Sequence, residues 1–258
     1  MVKVLETFDL TYRDFNNLNL SFESNSYYLI VGANNSGKTT LFRLLTSLIP
    51  TCDMIMCNNV YLDDNSILDY ILNIGIVERV NKESFLYQRV YDELRYPLYN
   101  LGYSKKNMDT RINEVLTIFN RLDILDKDIS NLTYNEKQEL LIMISLLHNP
   151  SVLLLDGIHN LDNNFMKSLK KLAKDGLTII DFSVSLENLK YADKIILLDN
   201  FSIIGEYLPS KVFEDDKLFY EHHVSVPFLT DLAVKLKMYN LVNKEYTSMK
   251  ALVDDIWP

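Results

Sequence analysis

Apolar residues in this chain gather in two kinds of stretch. Short runs at 28–31, 152–155, 177–182 and 194–198 are dominated by Leu, Ile, Val and aromatic residues. Runs of that length without polar alternation predict strands covered on both faces, as in a parallel sheet. Longer segments of helical period lie between them. Over 40–48, Leu41, Leu44, Leu45 and Leu48 share one predicted helix face, and Pro50 closes it. Strands alternating with helices predict an α/β protein with a mainly parallel sheet.

Two regions depart from that alternation. Between 90 and 132 the pattern turns helical: Asn113, Leu116, Phe119 and Leu122 lie close to a 3.6-residue period, and a turn-like Tyr103-Ser104 precedes them. This predicts a helical subdomain, about 90–148, inserted between sheet elements. After Gly205 the strand pattern fades, and Pro209, Pro227, Leu229, Leu232, Leu236 and Leu241 predict a helical tail. The expected organisation is one domain over 1–205 and a C-terminal extension over 206–258.

Composition narrows the possible partners. At 258 residues, with 48% hydrophobic and 24% charged residues, the chain can bury a large core. A formal charge of −9 without a Lys/Arg cluster disfavours nucleic acid. The longest apolar stretch, 140–147, is far short of the roughly 18 residues that a spanning helix needs. Glu6 and Asp9 interrupt the pattern of 1–11 and argue against a secretory leader. A cytoplasmic protein that meets a membrane only through a partner is expected. Cys52 and Cys57 read as reduced thiols, and the adjacent His222 and His223 have no usual metal-ligand spacing.

The chemistry concentrates at Gly32-Ala33-Asn34-Asn35-Ser36-Gly37-Lys38-Thr39, which fits G-x-x-x-x-G-K-[ST] between a predicted strand and a predicted helix. Glycines let backbone N–H groups turn toward phosphate oxygens, and the helix N-terminus adds roughly half a positive charge. Gly32, Asn34, Asn35, Ser36, Gly37, Lys38, Thr39 and Thr40 are the expected phosphate-binding set. Lys38 is expected on the β- and γ-phosphates of ATP, and the Thr39 hydroxyl on Mg²⁺. A second, acidic Mg²⁺ ligand is expected at a neighbouring strand end, where four apolar residues at 152–155 lead into Asp156.

Read together, the motifs resemble the ABC ATPase family along nearly the whole chain. Leu132-Thr133-Tyr134-Asn135-Glu136-Lys137-Gln138 sits at the family's signature, Leu161-Asp162 at its D-loop, and Tyr191-Ala192-Asp193-Lys194 is similar to a further family segment. Tyr12 lies where the family places an aromatic on adenine. Val90-Tyr91-Asp92-Glu93-Leu94, Asn100-Leu101-Gly102-Tyr103-Ser104 and the tail from Val226 to Ala233 are similar to the ATPases of energy-coupling factor importers. The resemblance implies ATP and Mg²⁺ as cofactors, a second ABC ATPase subunit, an integral membrane partner and a peripheral place on the inner face of the membrane.

The chain also departs from the family pattern. Gly157 follows Asp156 where the family has a catalytic Glu, and the segment to Asp162 is one residue short. Val184 stands for the switch histidine, and Arg79 or Glu78 for the Q-loop glutamine. His159 reads as a surface residue. Tyr134 and Asn135 replace signature glycines, and Thr133 with Glu136 reads either as a remaining signature or as a helix capping box. No catalytic residue is therefore assigned, and the expectation is a chain that binds Mg·ATP but hydrolyses it poorly. A scaffold or regulatory ATP-binding protein is the alternative. A P-loop enzyme of another class, such as a kinase, is disfavoured by the D-loop and the segment at 191–194.

Overall fold

The computed structural model describes residues 2–51, 54–214, 217–242, 246 and 249–256. Cys52 lies outside them; Cys57 is a buried free thiol whose pKa burial pushes up to about 12.

The chain begins with β1 (Lys3–Thr7), β2 (Leu10–Tyr12), β3 (Phe15–Leu18), β4 (Ser21–Glu23) and β5 (Tyr27–Val31), followed by α1 (Lys38–Leu45). Next come β6 (Ile55–Cys57), β7 (Val60–Tyr61), α2 (Ile67–Leu72) and β8 (Ile74–Glu78). A helical stretch follows, with α3 (Val90–Asn100), α4 (Lys105–Ile118) and α5 (Tyr134–Ser145). The sheet resumes with β9 (Val152–Asp156), α6 (Asn163–Lys174), β10 (Thr178–Ser183), β11 (Lys194–Asp199) and β12 (Ser202–Tyr207). The tail holds α7 (Ser210–Glu214), α8 (Lys217–Glu221), α9 (Phe228–Met238) and α10 (Met249–Ile256).

The central sheet runs β12-β11-β5-β10-β9-β8, parallel except for the antiparallel edge strand β12. Its inner strands are buried on both faces because the side-chain period of two feeds separate cores. Tyr28, Ile30, Val152, Leu154, Ile180 and Phe182 pack with α1 and the antiparallel sheet β4-β1-β6-β7. Tyr27, Leu153, Leu155 and Ile179 pack on the opposite face with α3, α4, α5 and α6. All four expected strands are present, and between β8 and β9 the chain forms α3, α4 and α5, which pack in one core with the sheet.

Several positions differ from expectation. The helix after the phosphate loop starts at Lys38 and ends at Leu45, with Ser47 at φ +61°, so Leu48 is exposed and takes no part in the buried face. In α4 the buried stripe is Met108, Ile112, Val115 and Leu116; of the periodic positions expected there, Leu116 and Phe119 are buried, whereas Asn113 faces solvent and Leu122, beyond the helix end, is 50% exposed. Strand β12 runs two residues past Gly205, since antiparallel pairing with β11 holds it. In the tail, Leu229, Leu232 and Leu236 pack around Ala233, Val242, Tyr246 and Leu252, whereas Leu241 is exposed.

Candidate functional site

The carboxyl ends of β5, β10, β9 and β8 lie side by side, since Val31 pairs with Ser183, Phe182 with Asp156, and Asp156 with Glu78. Ligand clefts of parallel sheets form at this edge. Here the edge opens into a cleft of about 730 Å³ lined by Asn34, Asn35, Gly37, Lys38, Thr39 and Thr40, and also by Arg43, Arg79, Asp156, His159 and Phe201.

The loop between β5 and α1 depends on its glycines. A Cβ on Gly32 would stand 2.1 Å from the Leu198 carbonyl oxygen. Gly37 has φ +105°, and a Cβ there would meet Phe201 at 2.8 Å and Phe15 at 2.9 Å. Asn35 adopts φ +65°, a left-handed conformation that asparagine tolerates. Phe201 secures the loop, its N–H donating to the Ser36 carbonyl at 2.9 Å.

Lys38 is folded back into this loop. Its Nζ donates to the carbonyls of Gly32 and Ala33, both at 2.7 Å, and to Ser36 Oγ at 3.2 Å. Those partners are neutral, so burial pushes the ammonium down to about 8, opposed by the attraction of Asp156. The Thr39 hydroxyl donates to Asp156 Oδ2 at 3.1 Å. Burial raises the Asp156 pKa; the Thr39 hydrogen bond and then the charges of Arg79, Lys38 and Arg43 oppose that rise.

These residues fit a Mg²⁺-bound nucleoside triphosphate. The loop holds a buried ammonium without an acid partner among the described residues, and a hydroxyl and a carboxylate already in contact form an oxygen donor pair of the type Mg²⁺ takes. When bound, Mg²⁺ would neutralise phosphate charge, and Thr39 and Asp156 are the side chains that would hold it.

Of the other residues singled out from sequence, Arg79, His159 and Val184 line this cleft. Tyr12 is not among the residues lining the cleft: it packs partly buried against the core, with the Arg13 guanidinium 5.3 Å from its ring centroid. His159, expected on the surface, is half-buried in the cleft wall, and its Nε2 stands 3.1 Å from Arg79 Nη2. Arg79 Nε donates to the Gly157 carbonyl at 2.9 Å. Val184 lines the cleft without a polar group to offer. Arg43 was not picked out from sequence; it lies one helical turn after Thr39 on α1, and that spacing is the signal that places it here.

Two further motifs sit at helix starts. Thr133 caps α5 in a reciprocal box: its hydroxyl accepts from the Glu136 N–H, and Glu136 Oε2 accepts from the Thr133 N–H at 2.8 Å. Asp162 caps α6, accepting from the N–H groups of Asn164 and Phe165. Among the described residues no helix is long and apolar enough to cross a membrane.

Comparison with known proteins agrees with this geometry. The family model described as ABC transporter matches residues 15–160. An energy-coupling factor transporter ATP-binding protein of Oenococcus oeni is 26% identical over 271 residues, covering 99% of this chain and 98% of its own. One from Lactobacillus acidophilus is 28% identical over 232 residues, covering 86% and 82%. Among solved structures, cbiO1 of Clostridium perfringens, part of the ABC transporter complex cbiONQ, superposes with a TM-score of 0.75 at 22% identity, covering 85% of this chain and 94% of that one.

Proposed function

Because this chain belongs to the ABC transporter family, we propose that it is an ATP-binding subunit of an importer of the energy-coupling factor type, one that holds Mg·ATP without turning it over. The observation that carries the reading is a contrast within one cleft. The phosphate loop, Lys38, Thr39 and Asp156 are in working relation, whereas the residue after Asp156 is a glycine whose side-chain space Arg79 fills.

Binding and turnover need different things. Binding draws on loop N–H groups, Lys38 and the Thr39–Asp156 pair, all of which the chain has. Turnover needs a base for the attacking water and contacts that tighten on transferred phosphate; Gly157 offers no base and Val184 no hydrogen bond. Loss of a general base alone removes roughly 10²- to 10⁴-fold in rate.

A homodimer would repeat the same defects at both sites. A second ABC ATPase with an intact base is the partner that this reading requires, with an integral membrane component above the pair. The chain then lies on the inner face of the membrane through its partners. The division expected from sequence, 1–205 and 206–258, is shifted in this reading: β12 carries the nucleotide-binding body to Tyr207, and Val212 and Phe219 pack with Leu29 and Val31, which leaves the helices from α9 onward as a partner-facing extension.

Co-purification from the native host tests the assembly. Recovery with a second ATPase and a polytopic membrane protein supports the proposal. Recovery only as a monomer or homodimer contradicts it and favours a regulatory ATP-binding protein.

A further inference from the structure

Arg79 follows directly on β8, the strand beside β9, so it stands one strand outward from Asp156 in the same cleft as Lys38 and Thr39. Its charge is felt at Asp156, but among the described residues no carboxylate forms a direct ion pair with it. Its orientation is fixed by two neutral tethers, the Gly157 carbonyl on Nε and the His159 ring nitrogen on Nη2. With Nε2 accepting from the guanidinium, the His159 proton resides on Nδ1. A guanidinium carries five N–H donors in a rigid fork, and two tethers leave the Nη1 pair free of partners among the described residues.

The glycine beside it permits this placement. A Cβ on Gly157 would lie 2.3 Å from Arg79 Nε, and Gly157 has φ +67°. A side chain at position 157 requires this arginine to move from its place. The cleft lining carries three cations, Lys38, Arg43 and Arg79, against the acids Asp156 and Glu78, in a chain whose net charge is −9. A local cationic excess with one preorganised, unpaired fork is the chemistry of phosphate recognition.

Resting on the nucleotide-binding reading above, we propose that Arg79 is a ligand of the terminal phosphate of ATP, and that it supplies part of the positive charge which a divalent cation otherwise provides. The site therefore holds ATP in preference to ADP even when Mg²⁺ is scarce.

Calorimetric titration of the full chain with ATP and with ADP, each in Mg²⁺ and in EDTA, tests this. The wild type is expected to keep ATP binding in EDTA within about tenfold of its affinity in Mg²⁺. Arg79→Gln is expected to lose roughly ten- to a hundredfold in ATP affinity in EDTA, the scale of a charge-assisted hydrogen bond, with little change for ADP. Arg79→Lys is expected to recover part of the loss. Arg79 is exposed, so both variants should melt like the wild type without nucleotide. Equal weakening of ATP and ADP, no weakening of either, or loss of wild-type ATP binding in EDTA overturns the proposal while leaving the Mg·ATP reading intact. Failure of the wild type to bind ATP even with Mg²⁺ overturns both.

Discussion

Arg79 and Gly157 occupy one another's space: the guanidinium Nε donates to the Gly157 carbonyl at 2.9 Å and stands 2.3 Å from where a Cβ on Gly157 would lie. The side-chain space beside Asp156 is thus taken up by Arg79. Restoring Gly157→Glu alone is expected to yield no turnover. It is also expected to destabilise the fold by about 1–3 kcal/mol, from a non-glycine residue at positive φ and the collision with Arg79. Combining it with Arg79→Ala removes the collision, so the two changes should be non-additive in urea unfolding, the double variant being more stable than their sum. Strict additivity would mean that the contact does not constrain position 157.

Lys38 links binding to pH. Burial against neutral carbonyls holds its folded pKa at about 8, below the ordinary lysine value of 10.5. Phosphate stabilises the charged form, so binding raises that pKa and takes up protons when the free lysine is partly neutral. Near pH 7 free Lys38 is mostly protonated and affinity is at its plateau. Above about pH 8 affinity is expected to fall, approaching tenfold per pH unit. Titration at pH 8 in buffers of different ionisation enthalpy should reveal net proton uptake on ATP binding. Proton release, or an affinity flat from pH 7 to 9, would contradict this account of the loop.

Asp181 predicts a different pH effect, on the fold itself. It is fully buried on β10, with Tyr27 Oη and Asn188 Nδ2 both donating to Oδ2 and no partner for Oδ1. Burial pushes its pKa up to about 6. Because the folded value lies above the unfolded one, the stability this group contributes is present below about pH 4 and lost as pH rises through 6. Asp181→Asn keeps the acceptor without the charge. The variant is expected to be about 1–3 kcal/mol more stable than the wild type at pH 7.5, with the advantage shrinking toward pH 5. Thermal melts at the two pH values check the trend, and an advantage that grows on acidification would contradict it.

The legible part of this fold was the part governed by short-range rules. Buried strands announced themselves as apolar runs, and the phosphate loop as glycines at fixed spacing before a helix. The run ending in Asp156 was legible for the same reason, and the structure puts its carboxylate against Thr39, 117 positions earlier in the chain. What sequence hid was set by approach across the sheet. His159 lies three residues past Asp156, but its contact with Arg79, which follows β8, joins positions 80 residues apart. Of the periodic positions around α4, Leu116 and Phe119 are inward as expected, whereas Asn113 and Leu122 satisfied the period without being inward. Leu48 failed for a simpler reason: the helix ended at Leu45, before the periodic pattern did.

The central claim is that the cleft holds ATP and leaves it intact. Its most direct test is the chemical state of labelled nucleotide retained by the purified chain after long incubation with Mg²⁺ and γ-labelled ATP. The account predicts bound nucleotide that remains ATP, with no steady release of phosphate, and no retained nucleotide in Lys38→Ala. Steady phosphate release by the wild-type chain, abolished in Lys38→Ala, would contradict it.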